Sequence, residues 1–306
     1  MANSKATLSK LPEAQQEMLL EGMGHALKNW QGYMDCMSKI PNYSANNTLL
    51  IMLQQLQRNR EFSPLVRGYK TWQKDFKRHV VKGAKSYKIT KPIMVAQKDS
   101  NGNEILGENG KPKKFPAKWG TAIIFDHRDT EGEPLPQRPD TSHVMAQQDG
   151  KVDYMLLNGL LEVAKSRKVS VNRSVSKDEL GTAHGCCWFT NEDGTASKID
   201  LREDLTEVTE VTFLMHELAH SILHNRDEYE GHSPLSIKEL EAESTAYLVA
   251  NHYGIDTGAK AFDYIIGHNL KDPDLKTTML DAGDRINKAY KEIITIVDKH
   301  IKDKKR

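Results

Sequence analysis

The chain has 306 residues, 38% of them hydrophobic and 28% charged, with a formal net charge of +1. That balance suits a soluble globular protein with enough apolar side chains for a core, and the length predicts two domains. Its longest apolar runs, such as residues 49–53, fall far short of the roughly 18–20 apolar residues of a membrane-spanning helix. The N-terminus has no apolar stretch of the kind a secretory signal carries. Cys36 and the adjacent pair Cys186 and Cys187 suggest no disulfide framework, and a reducing cytoplasm is the expected location.

Residues 12–39 read as one helix, with Leu19, Met23, Ala26, Leu27, Trp30, Tyr33, Met34 and Met37 at helical spacing. Pro41 ends it, and Ser44 is an N-cap for a second helix carrying Leu49, Leu50, Met52, Leu53 and Leu56. Residues 69–76 suggest a short third helix. The β-branched, alternating texture of residues 80–96 predicts strands. Two Asn-Gly steps within residues 98–114 predict a hairpin loop, and residues 119–126 return as a strand. Residues 127–150 carry Pro134, Pro136 and Pro139 among polar side chains and read as a linker. The predicted organisation is therefore a first domain over residues 1–133, a linker over 134–150 and a second domain over 151–306. The second domain opens with a helix over 152–165 and strand-like pieces at 169–171 and 186–190. Helices over 205–224, 235–253 and 276–300 make it mainly helical. The fold class expected from these elements is α+β, a helix-plus-small-antiparallel-sheet domain followed by a mainly helical one.

Charge divides along the chain. Residues 58–91 hold eleven Lys and Arg against Glu61 and Asp75, whereas residues 201–256 hold twelve Asp and Glu against Arg202, Arg226 and Lys238. Different partners for the two halves follow.

Residues 216–220 read His-Glu-Leu-Ala-His. On a helix, His216 and His220 share one face a turn apart, and their imidazoles can hold one ion. Glu217 sits about 100° round from His216, placed to act on a water at that ion. Val211, Leu214, Met215, Leu218 and Ile222 form an apolar stripe beside the pair. Catalytic zinc takes three protein ligands and keeps one open position, so a carboxylate from the next helix is needed. Glu239 and Glu243 fall on one face of that helix with Ala242 and Ala246, and Glu241 points the other way. Either Glu239 or Glu243 can be the ligand. Glu239 also completes a capping box with Ser236. If Glu239 is the ligand, Glu243 orients a ligand histidine. His224 lies about 12 Å along the axis from His216, too far to share the ion, and reads as a polar residue near a helix C-terminus. Tyr264, His232 and His268 are options for stabilising an oxyanion. The ion expected is one Zn²⁺ per chain, though manganese, cobalt or nickel suit the same ligands.

In the first domain, the basic stretch beginning at Arg67 interleaves Tyr69, Lys70, Trp72, Lys82 and Lys85 with Phe76 and Tyr87. Phosphate neutralisation with base stacking on aromatics is how single strands are held without sequence preference.

Several segments then carry a family resemblance. Residues 43–51 (Tyr-Ser-Ala-Asn-Asn-Thr-Leu-Leu-Ile, including Asn47), the run Gly68-Tyr69-Lys70-Thr71-Trp72-Gln73, and Val81-Lys82-Gly83-Ala84-Lys85 resemble the ArdC-type antirestriction N-terminal domain. So do Phe125-Asp126 and residues 130–136. The His-Glu-Leu-Ala-His segment with the following Ser-Ile-Leu-His, and Glu239-x-x-Ala242-Glu243-x-x-Ala246, look like an ImmA/IrrE-type zincin. The resemblance spans most of residues 30–300. It implies a single-stranded-DNA-binding domain fused to a metallopeptidase-like domain, carried on mobile elements, with DNA contacts from Asn47, Arg67, Tyr69, Lys70, Trp72, Lys82 and Lys85. It also implies that Glu239 is the third metal ligand. One departure stands out: the family's Lys-Gly-Glu-Lys-Gly turn holds Ala84 and Ser86 here, one negative charge fewer. The function expected is single-stranded-DNA binding coupled to zinc-dependent peptide hydrolysis, with an antirestriction role and no membrane partner. Two rivals are a non-catalytic DNA-binding protein with a structural zinc site, and a peptidase that cleaves a repressor.

Overall fold

Residues 8, 11–107, 109–135, 152–225, 235–257, 262 and 274–304 are described by a computed structural model. The first helical stretch is two helices rather than the one expected. Helix α1 runs Glu13–Ala26 and α2 runs Trp30–Lys39. Asn29 makes the break: its side-chain oxygen accepts from the Gly32 N–H at 2.9 Å, a polar N-cap outcompeting a continuous helix. Helix α3 follows at Ala45–Leu56. The chain then divides into two compact units, one of residues 2–25 and 46–136, the other of residues 26–45 and 137–306. The expected first domain over residues 1–133 is thus interrupted, because the 26–45 segment groups with the later part of the chain.

In the first unit, α1 and α3 meet where Gly22 lies against Leu49 and Leu53, with Leu19, Met23, Leu49, Leu50 and Leu53 buried. Strand β1 (Val66–Arg67) and helix α4 (Tyr69–Lys74) come next, then β2 (Arg78–Val80), β3 (Tyr87–Ala96), β4 (Lys114–Asp126) and β5 (Thr130–Gly132). Strands β3 and β4 form a long antiparallel hairpin from Tyr87↔Ile124 to Ala96↔Lys114, shifted in register between Ile93 and Met94. The sheet order is β1-β4-β3, and β2 pairs separately with β5. The predicted linker begins later than its polar composition suggests. Residues 127–132 form a 3₁₀ turn (His127–Asp129) and β5, held because Asp126, Asp129 and Thr130 are buried and Arg78 Nε donates to Thr130 Oγ1 at 2.8 Å. Residues 136–150 of the expected linker lie outside the described ones.

The second unit holds α5 (Tyr154–Ser166), β6 (Ser170–Val175), α6 (Lys177–Leu180), β7 (Gly185–Trp188), β8 (Lys198–Arg202), α7 (Glu207–Leu223), α8 (Leu235–His252) and α9 (Leu275–Lys304). Strand β8, which its short Lys-Ile-Asp-Leu-Arg pattern did not announce, is the centre of a β6-β8-β7 sheet, parallel to β6 and antiparallel to β7. Ile199 and Leu201 on β8 are fully buried. Helix α2 packs on α8: Trp30 is buried, its Nε1 donates to Ser244 Oγ at 2.8 Å, and Tyr247 donates to Asp35 at 2.6 Å. That packing explains why residues 26–45 belong with this unit. The structure therefore mixes helix and sheet, as an α+β reading expects. No helix among the described residues is long and apolar enough to cross a membrane.

Candidate functional site

Helix α7 begins on a Thr206 cap that accepts from the Thr209 N–H at 3.3 Å. Glu207 and Glu210 lie in its first turn, where their charge suits the helix dipole. Val211, Leu214, Met215, Leu218 and Ile222 are buried along one side. This anchors the helix so that His216 and His220 flank the core rather than face open water. Helix α8 packs against α7, with Ala242 and Ala246 buried between larger residues.

The two helices bring three side chains together. The Nε2 atoms of His216 and His220 are 3.0 Å apart. Glu239 places Oε2 at 3.5 Å from His216 Nε2 and Oε1 at 3.6 Å from His220 Nε2. Donors about 2.0–2.1 Å from a tetrahedral ion stand roughly 3.4 Å from one another, so this trio has the chemistry and the spacing to hold one. His216, His220 and Glu239 are the one set of three such donors lying within 4.8 Å of one another among the described residues. Glu243 sits behind the trio, its Oε2 3.1 Å from His216 Nδ1. The rival capping role for Glu239 rests on the Ser236 side chain, which lies outside the described residues, as do His232, Tyr264 and His268.

Electrostatics follow from that geometry. Burial disfavours a charged His216, but hydrogen bonds to Glu239 and Glu243 outweigh it and lift its pKa to about 9. Hydrogen bonds from His216 and His220 hold the Glu239 carboxyl well below the usual carboxylate range. Burial keeps His220 below the ordinary histidine value. Glu217 is 6% exposed, and that burial pushes its carboxyl up to about 7, while the backbone N–H of Cys187 steadies the ionised form. Strand β7 comes close enough that a Cβ on Gly185 would lie 3.1 Å from Glu217 Oε1. Glycine at that position leaves room for the carboxylate.

Sequence reasoning missed a buried chain of polar groups behind His220. His224 does stand at the helix C-terminus, as the C-cap of α7, but its side chain is only 3% exposed. Its Nδ1 is 2.8 Å from His220 Nδ1, and its Nε2 is 3.1 Å from Glu241 Oε2. Glu241 is fully buried and accepts from Arg285 of α9, whose Nε donates to Oε1 at 2.8 Å. The regular stripe of His216, His220 and His224 was the one local signal for this. Arg285 lies too far along the chain for any periodicity to reveal it.

Of the expected nucleic-acid contacts, Tyr69 is 50% exposed, and Lys70, Lys82 and Lys85 are also exposed. Arg67 is half-buried on β1, with a guanidinium N–H donating to the Val66 carbonyl at 2.7 Å. Lys82 and Lys85 flank a turn at Gly83 (φ +86°) that also contains Ala84. Arg58 pins that turn by donating to the Lys85 and Ser86 carbonyls, each at 2.7 Å. One expected contact is corrected and a second is found engaged within the fold. Trp72 is completely buried, and its indole N–H donates to the Phe125 carbonyl at 3.0 Å, so its ring faces the core. Asn47 exchanges hydrogen bonds with the backbone N–H and C=O of Thr90, each at 2.9 Å, and fastens β3 to α3. Apolar burial took the Trp72 ring from the surface, while Asn47 stays partly exposed with its amide engaged by the backbone.

Comparison with known proteins places these features in context. Residues 16–121 match the family model for the N-terminal domain of anti-restriction factor ArdC. The chain is similar to an uncharacterized protein of Bacillus anthracis, 26% identical over 299 residues, a match that covers 88% of this chain and 48% of the relative. The chain thus spans about half the length of that relative. The crystal structure of the metal-free antirestriction ArdC protein from the R388 plasmid shares its fold, with a TM-score of 0.57, 16% identity, and coverage of 92% of this chain and 98% of that one. The Mn(II)-bound structure of the same ArdC protein gives a TM-score of 0.54, 14% identity and the same coverage.

Proposed function

We propose that this chain is an ArdC-type antirestriction protein that binds single-stranded DNA through its first unit. We further propose that its second unit holds one divalent ion, zinc by preference, at His216, His220 and Glu239 and hydrolyses a peptide bond. The match of residues 16–121 to the ArdC N-terminal domain supports the first part. The observation that carries the second is the convergence of two imidazoles and a carboxylate to ligand spacing beside a buried Glu217. The ArdC structure with Mn(II) supports a divalent ion in this fold.

Bound there, the ion supplies Lewis acidity towards water and a scissile carbonyl. His216 and His220 would hold it through Nε2, their Nδ1 atoms being engaged behind by Glu243 and His224. Glu239 adds the negative charge that two neutral imidazoles lack. Glu217 takes the proton of the attacking water as the carbon–oxygen bond forms, then returns it to the amine as the carbon–nitrogen bond breaks. Tyr69, Lys70, Lys82 and Lys85 offer an exposed aromatic and three cations for a strand's bases and phosphates.

The test is metal analysis of the purified full chain beside a His216→Ala/His220→Ala variant. About one ion per chain in the parent, lost in the variant, is expected. A parent that takes up no stoichiometric ion after zinc or manganese reconstitution overturns the metal reading. A Glu217→Gln protein that keeps its ion separates peptidase from binder: an undiminished antirestriction effect means that DNA binding alone suffices.

A further inference from the structure

The hydrogen-bond chain behind His220 has a direction that can be worked out atom by atom. Arg285 has only donors. Its Nε donates at 2.8 Å, and a terminal N–H also donates, to the same oxygen, Oε1 of Glu241. The other oxygen, Oε2, lies 3.1 Å from His224 Nε2. An ionised Glu241 offers only acceptors, so His224 carries its proton on Nε2. A His224 that holds a single proton then has a lone pair on Nδ1, 2.8 Å from His220 Nδ1. His220 must place its own proton there, which leaves a lone pair on Nε2, the atom that faces His216 and Glu239. Every member is inside the protein or nearly so: Glu241 and His224 are 0% and 3% exposed at their side chains, and Arg285 is 24% exposed. Burial matters, because water would otherwise supply either partner and erase the direction.

We propose that Arg285, Glu241 and His224 form a positioning relay that fixes the tautomer and ring orientation of His220, holding Nε2 free to bind the ion. The proposal rests on the metal reading above for its consequence, though not for its hydrogen-bond pattern. Three helices contribute one member each: the C-cap of α7 gives His224, α8 gives Glu241 and α9 gives Arg285. The fold of the second unit is thereby coupled to the readiness of one ligand.

Glu241→Gln tests the direction. Arg285 holds the amide oxygen at the Oε1 position, so the amide NH₂ takes the place of Oε2 and donates to His224 Nε2. His224 must then carry its proton on Nδ1, and His220 is driven to carry its own on Nε2, where the ion binds. His224→Leu removes the relay. His224→Gln restores its sense, with a carbonyl oxygen for His220 and an NH₂ for Glu241. Zn²⁺ affinity of the full chain, measured by competition with a chromophoric chelator, is expected to fall about 10–100-fold in Glu241→Gln and His224→Leu. His224→Gln is expected to stay within a few-fold of the parent. Parent-like affinity in both damaged variants, each with a native circular dichroism spectrum, overturns the relay. Nitrogen NMR of the metal-free parent gives a reading independent of any ion and of variant folding. A proton on His220 Nδ1 supports the relay, and a proton on Nε2 refutes it. A parent that binds no ion but shows the Nδ1 tautomer sinks the metal reading and leaves the relay standing.

Discussion

Gly159 is a point of close approach between α5 and α9, two helices that also pack against α7. A Cβ added there would lie 2.8 Å from Val297 Cγ1 and 3.3 Å from Val297 Cα and Cβ. Ordinary carbon contacts are about 3.5–4.0 Å, so something must move by roughly 0.7 Å. Valine on a helix has essentially one rotamer, and the Cα belongs to the backbone, so neither yields cheaply. Alanine gains about 1 kcal/mol of helix propensity over glycine. Overpacking of this kind costs about 1–3 kcal/mol. Gly159→Ala is therefore expected to destabilise the second unit by up to about 2 kcal/mol. Val297→Ala removes two methyl groups from a fully buried side chain, at about 1.6 kcal/mol in transfer before any cavity term. In the double variant the new methyl enters the space vacated, and the two losses add to less than their sum by about 1–2 kcal/mol. Urea unfolding of the four proteins, compared at constant slope, measures this directly. A Gly159→Ala protein at least as stable as the parent, or strictly additive losses, would refute the close-packing argument.

Four further outcomes follow from the structure. Trp72→Ala should cost about 3–5 kcal/mol of stability, because the ring is entirely buried, so a drop in DNA binding without loss of stability would contradict its placement. Lys82→Ala with Lys85→Ala should weaken single-stranded-DNA binding and flatten its dependence on log salt by about 1.4; an unchanged slope would remove this turn from the interface. Asp126 is fully buried; burial raises its pKa, but hydrogen bonds and charge from Arg128 outweigh that and hold it below the ordinary value. Its contribution is therefore complete above the unfolded pKa of about 3.9 and is lost as pH falls through the lower folded value. Asp126→Asn should then cost about 2–3 kcal/mol at neutral pH, with a gap to the parent that closes below about pH 4; a gap that widens in acid reverses the sign. Glu217→Gln should retain the ion while abolishing any peptide hydrolysis, and hydrolysis at the parental rate would exclude Glu217 as the proton carrier.

The sequence alone was enough to find what depends on local periodicity. Two histidines four apart on a helix share a face whatever surrounds them, and the same rule put Glu239 and Glu243 together and set Glu241 apart. Strand texture and turn residues located the β3–β4 hairpin for the same reason. Boundaries were weaker. A run of helical spacing over residues 12–39 conceals the break at Asn29, because a capping side chain competes with the helix without disturbing the apolar pattern. Only the tertiary structure decided which polar and aromatic side chains are consumed internally. Trp72 and Asn47 looked available to a nucleic acid, yet one fills the core and the other saturates Thr90. His224 looked like no more than a polar residue near a helix C-terminus, and Glu241 looked like the wrong face. Their meeting with Arg285 joins residues 44 and 61 positions apart, and a long-range buried hydrogen bond leaves no trace in spacing, since it is specified by how three helices pack rather than by any one of them.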